Sequence, residues 1–270
     1  MSKHDVLSEE EFARYAPNQN IIRSLQEFTA AWDLPASELR VLDWGCGRGR
    51  DVLWLRDHGY QAFGVDTDPE PIRNGLPLFQ SRGLAPDCLS LLDESSRSGF
   101  PTGSFDFVFS GNVLEHVEDL GKVAAEIARI TRKRGGGYHV FPAHRQPIEG
   151  HLFMPFVHWL PPGRVRRLLV FGFVLLGREP DWEDVQRSSV STKVDFYYQY
   201  TVKNTFYRPY RKVRREFERA GFSVTFRTTS HPSIRSNPLL STTAGLPVLG
   251  SLLNHLLLTF KLVEMSVARH

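Results

Sequence analysis

The chain has 270 residues, 41% of them hydrophobic, and a formal net charge of +3. That is enough apolar material for one large core, and too little charge to argue for nucleic acid as a partner. Two cysteines, Cys46 and Cys88, exclude a disulfide framework, and no Cys/His spacing around them suggests a metal. Residues 1–38 carry Phe12, Tyr15, Ile21, Ile22, Leu25, Phe28 and Trp32 at roughly helical spacing, so helix is predicted. This segment either closes the core or packs over a ligand mouth. The start, Met1-Ser2-Lys3-His4-Asp5, is polar and unlike a signal peptide, and no apolar run reaches bilayer length. A cytoplasmic location is expected.

The next stretch is the most informative. Val41-Leu42-Asp43-Trp44-Gly45-Cys46-Gly47-Arg48-Gly49 is an apolar strand running through an acid into a glycine turn, and helical patterning begins at Arg50. Glycines permit positive φ and close approach of a ligand to the backbone. A helix start aimed at the turn favours a nucleotide-like ligand. The spacing is Gly-x-Gly-x-Gly, not the Gly-x-Gly-x-x-Gly of nicotinamide and flavin enzymes. Gln61-Ala62-Phe63-Gly64-Val65-Asp66 is a second strand ending in a carboxylate, placed where a ribose diol would be held. Asp68-Pro69 supplies an N-cap and a proline at the first helical position. A third apolar run ends at Leu91-Leu92-Asp93-Glu94, and Phe105-Asp106-Phe107-Val108-Phe109-Ser110 alternates like a fourth strand, followed by Asn112-Val113-Leu114-Glu115-His116-Val117.

These four marks, in this order over residues 39–141, closely resemble the class I S-adenosylmethionine (SAM)-dependent methyltransferases. The "VLEHV" string resembles the group that includes quinone and small-molecule O-methyltransferases. The resemblance implies a Rossmann-like α/β fold: a seven-stranded, mostly parallel sheet with helices on both faces and a cap inserted after the fifth strand. It implies SAM as cofactor. Asp43 would orient the amino group, Gly45, Gly47 and Gly49 would admit the methionine part, and Cys46 would face the cofactor as a small residue. Asp66 would take the ribose, leaving Asp68 as cap, and Asp93 would reach the adenine. Thr67, Glu94 and Asn112 would complete the cofactor pocket.

Further along, a helix from Asp119 is expected to end at the Arg132-Lys133-Arg134-Gly135-Gly136 turn, with the fifth strand at 137–141. Residues 142–208 break the strand–helix rhythm and read as an insertion. Residues 209–270 return to helix (209–220), strand (222–227), helix (246–258) and a last strand (263–268), which the family runs antiparallel. One domain is expected throughout.

The acceptor must be sought in the insertion. The family's Asn/Asp-Pro-Pro-aromatic amine site is missing, as are the cysteine of pyrimidine C-methylation and the paired glutamates of protein-arginine enzymes. O-methylation of a small or lipid-linked molecule of glycan, polyketide or quinone type survives this sieve. The residues Pro155 to Pro162, "PFVHWLPP", resemble insertions of bacterial glycan and polyketide methyltransferases. Histidine titrates near neutrality and suits a general base for a hydroxyl. His144 and His151 lead, with His116 as rival; each has a plain alternative as a loop or spacer residue. A metal held by Glu149, His151 and His158 matches no recognised spacing, so none is expected. The apolar run 168–176, flanked by Arg164, Arg166, Arg167 and Arg178, is either a buried cap helix or a membrane-surface helix with its arginines toward lipid phosphate. The aromatic and basic stretch 206–215 is either a sugar, pyrophosphate or RNA patch or the solvated face of a helix whose stripe is Val213, Phe217 and Ala220. An RNA methyltransferase, or a SAM-binding protein without catalysis, are the competing readings.

Overall fold

A computed structural model describes residues 5–32, 34–226, 234 and 236–270. In chain order the elements are α1 (Glu9–Ala13), α2 (Gln19–Trp32), β1 (Arg40–Trp44), α3 (Arg50–Asp57), β2 (Gln61–Asp66), α4 (Pro69–Ser81), β3 (Leu89–Leu91), β4 (Phe105–Gly111), α5 (Leu120–Ile130) and β5 (Thr131–Pro142). After these come α6 (Arg164–Leu175), α7 (Glu183–Gln186), α8 (Val190–Lys203), α9 (Tyr210–Arg219), β6 (Phe222–Phe226), α10 (Pro238–Ala244), α11 (Pro247–Phe260) and β7 (Leu262–Arg269). The strands form one seven-stranded sheet in the order β3-β2-β1-β4-β5-β7-β6. The pairs among β1 to β5 are parallel, and β7 runs antiparallel to both β5 and β6. This is the Rossmann-like arrangement expected. The chain steps outward from β1 in opposite directions, so a crevice opens at the carboxyl ends of β1 and β4, where such sheets bind ligands.

Both sheet faces are covered. Leu25, Val41, Leu53, Phe79, Phe107 and Tyr138 belong to one buried cluster, with side chains from α2, α3 and α4. Leu42, Trp44, Phe105, Ile127, Phe217 and Met265 belong to the other, with α5 and α9. Helix α5 shows why: Leu120, Val123, Ala124, Ile127, Ala128 and Ile130 fall on one face at helical spacing and are all buried. Burying each large member is worth about 1.5–3 kcal/mol. Asp119 caps the helix by accepting from the Lys122 amide, and Asp68 caps α4 from the Glu70 amide. Asp106 is buried in β4 and ties its neighbours, accepting from the Arg40 amide at 2.9 Å and the Arg132 guanidinium at 2.7 Å.

Two expectations need correction. Residues 132–136 are not a turn but the first half of β5, bulged against β4 so that Phe105 faces Thr131 and Phe107 faces Gly136. The glycines serve close approach: a Cβ on Gly137 would lie 2.2 Å from the Val108 carbonyl oxygen. The apolar run of the insertion is helix α6, but it is neither wholly buried nor lined by four lipid-facing arginines. Val170 and Val174 are buried beside Leu152, Met154, Val157 and Tyr197 in a small separate core, while Val165, Leu168, Phe171 and Leu175 are exposed. Arg166 points inward, donating to the Leu160 and Thr201 carbonyls, and Arg167 pairs with Asp195. Arg227, the expected end of β6, and the first four residues lie outside the described residues.

Candidate active site

The loop between β1 and α3 is tied by its own amides, mostly to the end of β2. The amides of Gly45 and Cys46 donate to the Val65 carbonyl, Gly47 donates to Asp66 Oδ2 at 2.8 Å, and Gly49 donates to the Cys46 carbonyl. A pyrophosphate seat needs such amides facing the ligand. Here four of them build the turn instead, so close approach is what the glycines offer.

The three glycines then separate by surroundings. A Cβ on Gly45 would strike Val113 at 2.4 Å, and one on Gly49 would strike Leu89 at 2.8 Å. A Cβ on Gly47, whose φ is +53°, would meet nothing within 4 Å. Only at Gly47 does the backbone border open space. Cys46 does not turn its side chain to a ligand: it is buried and fills the space above Gly64. A side chain there must point into the core because β2 carries no Cβ at Gly64.

Charge points the same way. Asp43 is buried, and burial together with the nearby Asp51 and Asp66 carboxylates pushes its carboxyl well above the usual range. Asp51 is also raised by burial, with the Tyr15 hydroxyl and Arg50 opposing the shift. A cluster of acids under such mutual strain is relieved by a cationic ligand group and worsened by an anionic one. The ammonium and sulfonium of SAM fit it; a pyrophosphate does not. Asp66 keeps acceptor capacity: among the described residues Oδ1 takes the Asp68 amide and Oδ2 that of Gly47, and each oxygen has a second lone pair. Asp93 is exposed beyond β3, where its Oδ1 accepts from the Ser95 and Arg97 amides. Thr67, Glu94 and Asn112 are exposed at the ends of the same strands, Asn112 with a left-handed backbone at φ +55°.

A second group of side chains gathers at the carboxyl ends of β4 and β5. His116 Nδ1 faces the Asn204 carbonyl at 2.6 Å, and His116 Nε2 lies 3.1 Å from His151 Nε2. His151 Nδ1 lies 3.0 Å from Glu149 Oε1, to which the Tyr207 hydroxyl also donates. Glu149 is fully buried and takes the amides of His151 and Leu152 on its other oxygen. Burial opposes its charge, yet the hydrogen bonds from His151, Tyr207 and Leu152 hold its carboxyl below the usual range. Glu115 is buried with neither oxygen hydrogen-bonded to another residue among those described, and burial pushes its carboxyl up to about 7 against the opposing pull of its own backbone amide and His151.

The structure thus brings His116 and His151 together and leaves His144 outside their network. Burial and Arg145 lower the His144 pKa, and its Nδ1 has no partner among the described residues. His158, pushed down to about 4 by burial, stacks near Tyr207 at 4.6 Å without joining the Glu149–His151 line. Sequence reasoning missed Tyr207, submerged in an aromatic run, and gave Glu115 no part here. The aromatic-basic stretch divides: Val213 and Phe217 are buried as the stripe of α9, while Tyr210, Arg211 and Arg214 line an open groove of about 1320 Å³ with His255.

Residues 42–140 match the family described as "Methyltransferase domain". This stretch is similar to the class I SAM-dependent methyltransferases. Among curated methyltransferases, it is 31% identical over 91 residues to a probable tocopherol O-methyltransferase of rice, covering 33% of this chain and 25% of that protein. It is 30% identical over 98 residues to a 2-methyl-6-phytyl-1,4-hydroquinone methyltransferase of Synechocystis, covering 35% and 29%. The matched stretches span less than half the length of the curated relatives. A SAM-dependent methyltransferase of Mesorhizobium loti superposes with a TM-score of 0.50 over 92% of this chain and 96% of its own, at 16% identity. At that identity the likeness shows the fold alone.

Proposed function

We propose that this chain transfers the methyl group of SAM to a hydroxyl oxygen of a lipid-linked or otherwise lipophilic acceptor. The observation that carries the reading is the Glu149–His151–His116 line at the carboxyl ends of β4 and β5, on the edge of the sheet that also carries the glycine loop. SAM supplies the transferable methyl. Asp43 and Asp66 bind and orient it, and the open face of Gly47 admits it. Glu149 and Tyr207 fix the His151 ring, and the Asn204 carbonyl fixes that of His116. Both Nε2 atoms therefore turn to one point, beside which an acceptor hydroxyl is positioned. Its proton passes to a histidine Nε2 as its oxygen attacks the methyl carbon in line and the carbon–sulfur bond breaks, releasing S-adenosylhomocysteine.

The lipophilic part of the reading rests on the surface. Phe156 packs on Trp159 with ring centres 4.9 Å apart, and Trp159 approaches Phe260 at 6.3 Å, in the stretch that carries His151 and at the end of α11. Val248, Leu249, Leu252 and Leu256 of α11 are exposed, as is the outer face of α6 between the exposed Arg164 and Arg178. Among the described residues no single helix is long and apolar enough to cross a membrane. Exposed apolar faces bordered by arginine suit a peripheral contact with anionic lipid. Relatives named for tocopherol, phytyl-hydroquinone and sterol methylation agree with a lipophilic acceptor. The test is transfer of label from methyl-tritiated SAM to lipid-linked alcohols, phenols and hydroquinones, beside their water-soluble analogues. Label in an ether of the lipophilic set supports the reading; transfer only to amines or RNA overturns it.

A further inference from the structure

We infer that Glu115, His116 and His151 form a binding site for one divalent transition-metal ion, next to the point at which the acceptor hydroxyl is placed. This rests on the acceptor-site reading above for its role, though not for its existence. A carbonyl oxygen only accepts, so His116 Nδ1, at 2.6 Å from the Asn204 carbonyl, carries a hydrogen. Glu149 Oε1 accepts the Tyr207 hydroxyl, so His151 Nδ1, at 3.0 Å from the same oxygen, is placed to donate there as well. With a hydrogen on each Nδ1, the two Nε2 atoms face each other across 3.1 Å. Something positive must lie between them.

A shared proton would serve the two rings but leave Glu115 unanswered. Its carboxylate is 3% exposed, neither oxygen has a hydrogen-bond partner among the described residues, and a carboxylate oxygen lies within 4.8 Å of both ring nitrogens in this trio. A divalent ion answers all three groups at once. Two imidazole nitrogens bound at about 2.0–2.1 Å in tetrahedral array stand about 3.3 Å apart, close to the spacing found. The outer contacts are also those of a metal site, where each ligating histidine donates its second N–H to a carbonyl or a carboxylate. Two histidines and one carboxylate would leave a coordination position for the acceptor hydroxyl. With both Nε2 atoms ligated, the ion would lower the hydroxyl pKa so that its proton passes to water instead, and the donor set suits zinc or iron(II). The sequence expectation of no metal, argued from the spacing of Glu149, His151 and His158, is thereby revised: Glu149 stands behind His151 and His158 is not involved.

The experiment uses the full chain, stripped with a chelator and titrated with Zn²⁺ by calorimetry, with Co²⁺ as a spectroscopic probe. One equivalent should bind, and His116→Ala, His151→Ala and Glu115→Gln should each weaken binding at least tenfold. Glu149→Gln should weaken it about 10–100-fold through the ring it orients. Binding of S-adenosylhomocysteine, measured on the same samples, reports an intact fold independently of metal. Zn²⁺ failing to bind a wild type that still binds S-adenosylhomocysteine overturns the metal site and spares the methyltransferase reading. Equal Zn²⁺ affinity in wild type and all three ligand variants also overturns it. If Zn²⁺ binds as expected but S-adenosylhomocysteine does not, the metal site stands and the proposed activity fails.

Discussion

Gly47→Ala separates the cost of a strained backbone from the cost of a filled ligand space. At φ +53° an alanine is held in the left-handed region, which costs an L-residue about 1–2 kcal/mol. No packing clash adds to this, because the new Cβ meets nothing within 4 Å. For a domain of this size about 1–2 kcal/mol lowers the melting temperature by roughly 2–8 °C. The variant should therefore fold. Its methyl group, however, would stand where the cofactor must approach, and binding of S-adenosylhomocysteine should fall at least ~100-fold, or about 2.7 kcal/mol. Gly75→Ala is the contrast: its Cβ would lie 2.2 Å from the Arg48 carbonyl oxygen, so loop and α4 must separate and stability itself should collapse. The assays are thermal denaturation and calorimetric titration on the same preparations. A folded Gly47→Ala that binds within threefold of wild type would refute the claim that this face of the loop borders the cofactor.

Asp66→Ala removes the acceptor expected to hold the ribose; loss of hydrogen bonds to a charged group, about 1.5–3 kcal/mol, should weaken S-adenosylhomocysteine at least ~10-fold in calorimetry. His139 is fully buried in β5 against Ser110, and burial pushes its pKa from 6.5 down to about 3. The unfolded chain takes up that proton below pH 6.5 while the native state does not until near pH 3, so stability falls as pH drops through this window. The contribution is ~2 kcal/mol at pH 5 relative to neutrality. In denaturant titrations from pH 7.5 to 5, His139→Gln should lose that part of the acid slope; an unchanged slope would contradict the assignment. Leu252→Glu with Leu168→Glu should abolish sedimentation with phosphatidylglycerol vesicles while leaving the melting temperature within a few degrees; unaltered sedimentation would show that these faces do not touch lipid.

The cofactor half was legible because its chemistry is local in sequence. Strand, acid and glycine turn lie within nine residues, and Asp66 ends the strand that pairs directly with β1. The bulged start of β5 was hidden because glycines that allow strands to approach look like glycines that allow a turn. The acceptor end was harder for another reason. Glu115, His116, Glu149, His151 and Tyr207 come from three segments that meet only when β4, β5 and the approach to α9 are in place. Tyr207 reaches Glu149 across 58 residues, a contact no spacing rule contains. Helix α6 was ambiguous because its run 168–176 is apolar on every side, and only packing decides which of its faces is covered.

The central claim is that the cleft at the carboxyl ends of β1 and β4 holds SAM and is electrostatically unsuited to a dinucleotide. Calorimetric titration of the wild-type chain with S-adenosylhomocysteine, and with NADH as control, tests it most directly. The account predicts one tight site for S-adenosylhomocysteine and no heat from NADH. Binding of NADH with no response to S-adenosylhomocysteine would contradict it.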